Sequence, residues 1–276
     1  MRLFNRVAIV GAGLIGGSLA LAIKKKGLAK EIIGVTRHAE TLSLAKKIKA
    51  IDRGSRDIRI VKDADLVVLA APVEAIIRLG EEISRFLSPD CVVTDVGSTK
   101  QEIVDKLEKV FPCFIGSHPL AGSEKRTIVH ARAGLFKNSL CILTPTKNTD
   151  KEALKKIKAL WVAIGAKVIF LTPKTHDKVL SLVSHLPHIA AFSLIATLPR
   201  QYLKFASAGL KDTTRIAASD KEIWSDIFLS NPKHILESID LFIANLSRIK
   251  SAINKKDKKS LTKILQEAKL KREALG

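Results

Sequence analysis

The sequence predicts a mixed α/β protein in two parts: a mostly parallel sheet wrapped by helices over residues 1–172, and an all-helical domain over residues 173–276. Three observations carry this. Short runs rich in β-branched residues alternate with longer helical patterns as far as Thr172-Pro173, and such alternation builds a parallel sheet covered on both faces. A glycine-rich turn, Gly11-Ala12-Gly13-Leu14-Ile15-Gly16, joins the first run to the first helix. Beyond Pro173 no clear strand run remains, and the apolar spacing is helical to the end.

Arg6 to Val10 reads as the first buried strand, followed by a helix ending near Lys24–Lys26 and Gly27. Glu31 to Val35 is the second strand and Ala39 to Lys47 the second helix. Leu66–Leu69, Val92–Asp95, Cys113–Ile115, Leu140–Leu143 and Lys167–Leu171 are further strands, with helical patterns at 74–87, 100–110 and 151–164 between several of them. In the second part, His176 to Leu198 is strongly apolar, broken by Pro187 and closed by Pro199. Ile235, Ile239, Phe242, Ile243, Leu246 and Ile249 then fall on one helix face. An apolar helical domain of this kind packs against a second copy of itself, so a homodimer through residues 173–276 is expected.

Composition narrows the class. The 276 residues suffice for two modest domains. A content of 46% hydrophobic and 27% charged residues suits a soluble globular chain. Forty-seven Lys plus Arg against 27 Asp plus Glu leave a formal charge of +20. That excess fits either a nucleic-acid or membrane surface, or a basic enzyme whose cofactor and substrate are anions. The lysines are spread along the chain, densest at Lys255, Lys256, Lys258 and Lys259, and no stacking motif with aromatics placed among the basic residues is found; no nucleic-acid partner is expected. Cys91, Cys113 and Cys141 are odd in number and far apart, so neither a disulfide framework nor a metal site is predicted, and a reducing cytoplasm fits. Val7 to Ile23 carries no charge and follows Arg2 and Arg6, superficially like a membrane segment. It is short for a span and holds Gly11, Gly13, Gly16 and Gly17, so no membrane partner is expected.

The glycines have a specific use. G-x-G-x-x-G at the end of a strand and the opening of a helix marks a Rossmann-type dinucleotide-binding domain. Gly11 permits the tight turn, Gly13 lets backbone approach a pyrophosphate, and Gly16 allows close strand–helix packing. The helix N-terminus, with Leu14 and Ile15, offers free N–H groups to the phosphates. Thr36, twenty residues beyond Gly16, stands where a carboxylate would bind the ribose 2′-OH of NAD, and Arg37 and His38 follow it. Loss of the carboxylate removes repulsion of a 2′-phosphate, and Arg37 can pair with that phosphate. NADP is therefore favoured over NAD; the other reading has Arg37 stacking on adenine with both cofactors bound.

Four further segments carry chemistry: Asp95-Val96-Gly97-Ser98-Thr99-Lys100; Gly116-Ser117-His118-Pro119-Leu120-Ala121-Gly122-Ser123-Glu124; Ser184-His185-Leu186-Pro187-His188; and Lys211-Asp212-Thr213-Thr214-Arg215-Ile216-Ala217, with Trp224 nine residues after Arg215. This ordered set, from Gly11 to about Leu229, resembles the prephenate and arogenate dehydrogenases of tyrosine biosynthesis. The resemblance implies oxidative decarboxylation of a cyclohexadienol: hydride leaves the ring carbon bearing the hydroxyl, and the ring carboxylate departs as CO2. The product is 4-hydroxyphenylpyruvate from prephenate or tyrosine from arogenate. Aromatisation drives the step, so the enzyme supplies orientation and help with the hydroxyl proton.

The resemblance also implies roles. His118 polarises the 4-hydroxyl and accepts its proton, with Ser98 orienting it near the nicotinamide. Arg215 binds a substrate carboxylate through its guanidinium fork. His185 and His188 lie at the substrate pocket, His188 as the direct contact and His185 as a buried structural group. Trp224 walls the pocket or sits in the core. Glu124 and Asp212 match acidic positions that pair with basic residues or meet the substrate side chain. A carboxylate such as Glu124 would suit arogenate's ammonium, whereas hydrogen-bond donors such as His188 would suit prephenate's oxygens, with prephenate slightly preferred. Thr36 departs from the family pattern and puts NAD preference in doubt. Nothing resembles an ACT or chorismate mutase domain, so feedback through an appended domain is not expected. Two alternatives stand beside this: another dehydrogenase or reductase of a hydroxyacid or imine with the same two-part architecture, and a non-enzymatic nucleotide- or nucleic-acid-binding protein, suggested only by the charge.

Overall fold

The computed structural model describes residues 2–121 and 127–276. The chain divides into two compact units, Met1–Asn231 and Pro232–Gly276.

The first unit is built on a six-stranded sheet. Its elements in chain order are β1 (Phe4–Val10), α1 (Leu14–Lys25), β2 (Ala29–Val35), α2 (Ala39–Lys47), β3 (Arg53–Ser55), β4 (Leu66–Leu69), α3 (Val73–Ile83), β5 (Val92–Asp95), α4 (Gln101–Leu107) and β6 (Phe114–Ile115). The strand order is β3-β2-β1-β4-β5-β6, and every pairing is parallel. Alternate side chains of β1 enter opposite cores. Val7 and Ile9 join Leu19, Ile23 and Trp161 on one face; Ala8 and Val10 join Ile33, Ile76 and Ile103 on the other. Burial on both faces explains why the strands read as unbroken apolar runs, and each large aliphatic side chain so enclosed contributes about 1.5–3 kcal/mol. The uncharged stretch from Val7 to Ile23 is thus a central strand, a glycine turn and a covered helix.

The sequence predicts one sheet, but the structure contains two. Leu140–Leu143 (β8) and Lys167–Phe170 (β9) pair in parallel with each other, and β8 also pairs antiparallel with a strand the sequence reading lacks, Ser117–Pro119 (β7). The helix α5 (Lys151–Ala163) joins β8 to β9 and buries Trp161 edge-on against Phe136. Strand β3 was likewise unforeseen.

The helical region of this unit opens with α6 (Pro173–Leu180), capped by Thr172, whose hydroxyl accepts from the Thr175 N–H at 3.1 Å. Proline at its first position costs nothing there, since that N–H has no helical partner. Pro187 does not break the helix as expected. A π-helical turn, Ser181–His185, leads directly into α7 (Leu186–Ala196), and the whole run from Pro173 to Ala196 is 24 residues. The wider turn accommodates a proline that lacks its N–H and would crowd the preceding carbonyls. By length and composition alone this run could cross a membrane. The unit closes with α8 (Ala208–Thr214), a 3-10 turn over Arg215–Ala218, and α9 (Lys221–Ser230), capped by Asp220.

The second unit is α10 (Pro232–Asn254) packed on α11 (Lys258–Glu273), the latter capped by Asp257 through the Ser260 N–H at 3.0 Å. Leu236, Leu241, Ile243, Leu246 and Ile253 remain exposed along α10.

Candidate active site

At the end of β1 the chain turns at Gly11 with φ +102°, a conformation other residues rarely adopt. A Cβ on Gly11 would stand 2.1 Å from the Ala70 carbonyl oxygen, and one on Gly16 would stand 2.1 Å from the Gly11 oxygen. The turn therefore closes only without side chains. Gly13 caps α1 with no side chain of its own, and no acidic residue occupies the first turn. The N–H groups there face outward with the positive end of the helix dipole, the arrangement that receives a pyrophosphate. Leu14 is buried and Ile15 half-buried beside them. The cradle fits a dinucleotide. At the end of β2, Thr36 is half-buried and its hydroxyl accepts from the His38 N–H at 3.4 Å, while Arg37 and His38 are exposed.

His118 lies at the middle of β7, opposite Ile142 of β8, and is 9% exposed. Its Nδ1 is 2.8 Å from Nε2 of His176, and Nδ1 of His176 is 2.7 Å from Oδ1 of Asp177, both at the start of the helical region. The Asp177 carboxylate also accepts the N–H groups of Lys100 at 2.7 Å and Gln101 at 2.9 Å, capping α4, and its own carbonyl oxygen accepts from Asn231 at 2.9 Å. Beneath this chain, Lys100 and Asp95 form an ion pair with neither side chain reaching solvent. Asp95 further accepts from the Gly97 N–H at 2.8 Å and the Ser117 N–H at 3.1 Å, tying the loop after β5 to the strand that carries His118.

Burial drives the electrostatics. It pushes the His118 pKa well below the ordinary 6.5, and His176, the Lys100 ammonium and His185 reinforce it. His176 is lowered by burial, against which its bond to Asp177 works. For Asp177 burial acts upward, but His176 and the two backbone N–H groups hold the carboxyl below its usual range. His185, buried, falls to about 4 mainly through desolvation. Both rings of the pair are therefore neutral near pH 7.

The other candidate residues divide. Ser98 is half-buried in the loop after β5, but among the described residues the side chain hydrogen-bonded to His118 is that of His176. His188 stacks on Trp224, ring centroids 3.5 Å apart at 22°, and its Nδ1 donates to the Ser184 carbonyl at 2.9 Å. In the neutral ring this leaves Nε2 as an acceptor, so His188 is not the donor that the sequence reading supposed. His185 meets the edge of Trp224 at 6.2 Å and leaves its Nδ1 without a partner among the described residues. Trp224 thus joins His185 and His188. Arg215 is exposed in the 3-10 turn after α8, near enough to help lower the His188 pKa after burial has done so. Asp212 is exposed on α8. Glu124 lies outside the described residues. Among the described residues no three His, Cys, Asp or Glu side chains gather as metal ligands.

His176, Asp177 and the Asp95–Lys100 pair were not singled out by sequence reasoning. Asp95 and Lys100 stood inside a quoted segment without a role. The one available signal for the others was an adjacent His-Asp pair near the start of the long helical run that opens at Pro173.

Comparisons with known proteins agree with this architecture. Residues 19–170 match the family described as prephenate dehydrogenase, nucleotide-binding domain, and residues 172–267 match prephenate dehydrogenase, dimerization domain. A prephenate dehydrogenase of Bacillus subtilis (strain 168) is 39% identical over 98% of this chain and 76% of its own length. The crystal structure of prephenate dehydrogenase from Aquifex aeolicus in complex with hydroxyphenyl propionate and NAD+ is similar with a TM-score of 0.95 at 37% identity, covering 99% of this chain and 98% of that one. The Synechocystis arogenate dehydrogenase structure is similar with a TM-score of 0.86 at 29% identity, covering 98% and 100%.

Proposed function

The chain belongs to the prephenate dehydrogenase family, NAD(P)-linked oxidoreductases of tyrosine biosynthesis that oxidatively decarboxylate a cyclohexadienol, and we propose that His118 is its base, Arg215 its carboxylate ligand and prephenate its substrate. The observation that carries the assignment of His118 is its environment: a buried, neutral imidazole bonded through Nδ1, with Nε2 unengaged by any described residue.

Bound at the glycine turn through Gly11, Gly13, Leu14, Ile15 and Gly16, an oxidised nicotinamide dinucleotide supplies the hydride acceptor. His118 accepts the 4-hydroxyl proton as the C–O bond gains carbonyl character. The C–C bond to the ring carboxylate then breaks, its electron pair completes the aromatic ring, and CO2 leaves. His118 returns the proton to the phenolate oxygen, so the base is regenerated within the turnover. Arg215 holds a carboxylate, and Trp224 with His188 forms a wall against which a flat ring packs. Ser98, Asp212 and Glu124 are proposed to border the same pocket, and His185 to support the wall. Prephenate is preferred because the Bacillus relative is named for it. One observation favours arogenate as a second reading: the acceptor nitrogen of His188 suits an ammonium better than a keto oxygen.

NADP is proposed over NAD because Thr36 leaves no carboxylate at the end of β2 and Arg37 stands exposed beside it, with His38 next. We further propose a boundary between residues 172 and 173 separating dinucleotide and substrate domains, a homodimer through the latter, and a cytoplasmic location with neither nucleic acid nor membrane as partner. The dimer reading is supported by the description of the matched C-terminal family and by the exposed apolar residues of α10.

The deciding experiment assays prephenate and arogenate, each with NAD and NADP. Turnover of prephenate with the lower cofactor KM for NADP is expected; no turnover in any of the four combinations would overturn the proposal. Arg215→Ala should raise the substrate KM by about ten- to a hundredfold, the scale of a charge-assisted hydrogen bond, with kcat little changed. An unaltered KM would remove Arg215 from carboxylate binding.

A further inference from the structure

We propose that His176 and Asp177 are positioning residues for the reaction, fixing the tautomer of His118 so that its Nε2 is the bare nitrogen that meets the substrate hydroxyl. The inference rests on His118 being the base.

An ionised carboxylate only accepts hydrogen bonds, so the 2.7 Å contact with Asp177 puts the proton of His176 on Nδ1. In a neutral ring Nε2 of His176 is then bare. Among the described residues the group it meets is Nδ1 of His118, 2.8 Å away, which must therefore donate. With its single proton committed to Nδ1, His118 has Nε2 free to accept. Had the network run the other way, His118 would carry its proton on Nε2 and could not serve as a base.

Asp177 is itself immobilised. Two N–H groups at the start of α4 bind its carboxylate, and Asn231 binds its backbone carbonyl. Through Lys100 and Gln101 the nucleotide-binding half thus aims a carboxylate that sits on the helical half, and that carboxylate aims the imidazole pair. Once His118 takes up the hydroxyl proton, its Nδ1–H can move toward His176, spreading the positive charge over two rings beside a fixed anion. The neighbouring charged and titratable groups are the Lys100–Asp95 pair, His185 and the Cys141 thiol. Of these the Lys100 ammonium opposes the new charge, which leaves Asp177 as the stabilising anion bonded to the histidine pair.

The test reads tautomers directly. In histidine-labelled protein without substrate, nitrogen NMR should show His118 and His176 both protonated at Nδ1 and bare at Nε2. Asp177→Asn, which can present an amide donor to His176, should move the His118 proton to Nε2. In turnover, His176→Gln retains an oxygen to accept from His118 and should lose about tenfold in kcat. His176→Leu should lose about a hundred- to a thousandfold, in the range of general-base effects. KM values should stay within about twofold in both variants, since neither residue touches substrate on this reading. Equal losses in the Gln and Leu variants, or a His118 proton on Nε2 in the unaltered protein, would overturn the proposal. If the protein turned over neither cyclohexadienol, the reading of its substrate would fall, while the spectra would still decide the tautomer.

Discussion

Replacing His118 by Asn is expected to lower kcat about a hundredfold or more while dinucleotide affinity stays unchanged, the usual scale for loss of a general base. Asn fits the volume and can still hydrogen-bond His176, but it cannot take up a proton and hold it. The cradle at Gly11 is a separate part of the fold, so cofactor titration should not register the change. The same imidazole sets a pH dependence whose sign follows from its surroundings. Burial, then His176, Lys100 and His185, depress its pKa well below 6.5. A depressed value keeps the basic form populated to lower pH, and activity is lost only as pH falls through it. The acid limb of kcat/KM should therefore lie below pH 6.5, the unperturbed histidine value. Turnover near normal in the Asn variant, or an acid limb above that value, would remove His118 from its role.

Gly11→Ala should cost both stability and cofactor binding. The φ of +102° is strained for any L side chain, and the added methyl would meet the Ala70 oxygen at 2.1 Å. Backbone oxygen cannot retreat as a flexible side-chain end would. Strain of this sort costs about 1–3 kcal/mol before the clash is counted, which corresponds to a fall in Tm of about 2–12 °C for a domain of this size. The turn must shift to relieve it, and the N–H groups of α1 shift with it, so dinucleotide Kd should rise tenfold or more. Calorimetry and fluorescence titration of the same sample check both effects. An Ala variant with wild-type Tm and wild-type Kd would mean that the turn does not take this conformation.

The central sheet was legible because its strands are apolar on both faces. Leu66–Leu69 and Val92–Asp95 are found where the sequence reading has them, and so is Leu140–Leu143 of the second sheet. Arg53–Ser55 was not legible: an Arg-Gly-Ser run at the sheet edge, buried at no position, carries no hydrophobic signal. Ser117–Pro119 was missed for a related reason, being three residues of mixed polarity that form a strand only because β8 offers a partner. Nor could alternation alone reveal that β8 and β9 leave the main sheet, since periodicity encodes which way side chains face and not which strand lies alongside. The family resemblance named His118 and Arg215 as candidates, but it gave no sign of the groups hydrogen-bonded in a chain to His118. His176 and Asp177 are 58 and more residues away in sequence and reach the site only through the packing of α6 on α4. Pro187 misled because a proline rule written for α-helix does not anticipate the π turn before it.

Strand β7 has a bearing on how this enzyme can fail. Successive side chains on a strand point to opposite sides, so a slide of β7 along β8 by a single position would swing the imidazole away and leave a hydroxyl or a pyrrolidine in its place. Three residues supply few ladder bonds to resist such a slide. The peg is the Asp95 carboxylate, which grips the Ser117 N–H and fixes the parity of the strand. A lesion at that peg would act twice: it would release the parity of the strand and would leave the buried Lys100 ammonium without its anion, so a misdirected imidazole and a loss of stability would arrive together.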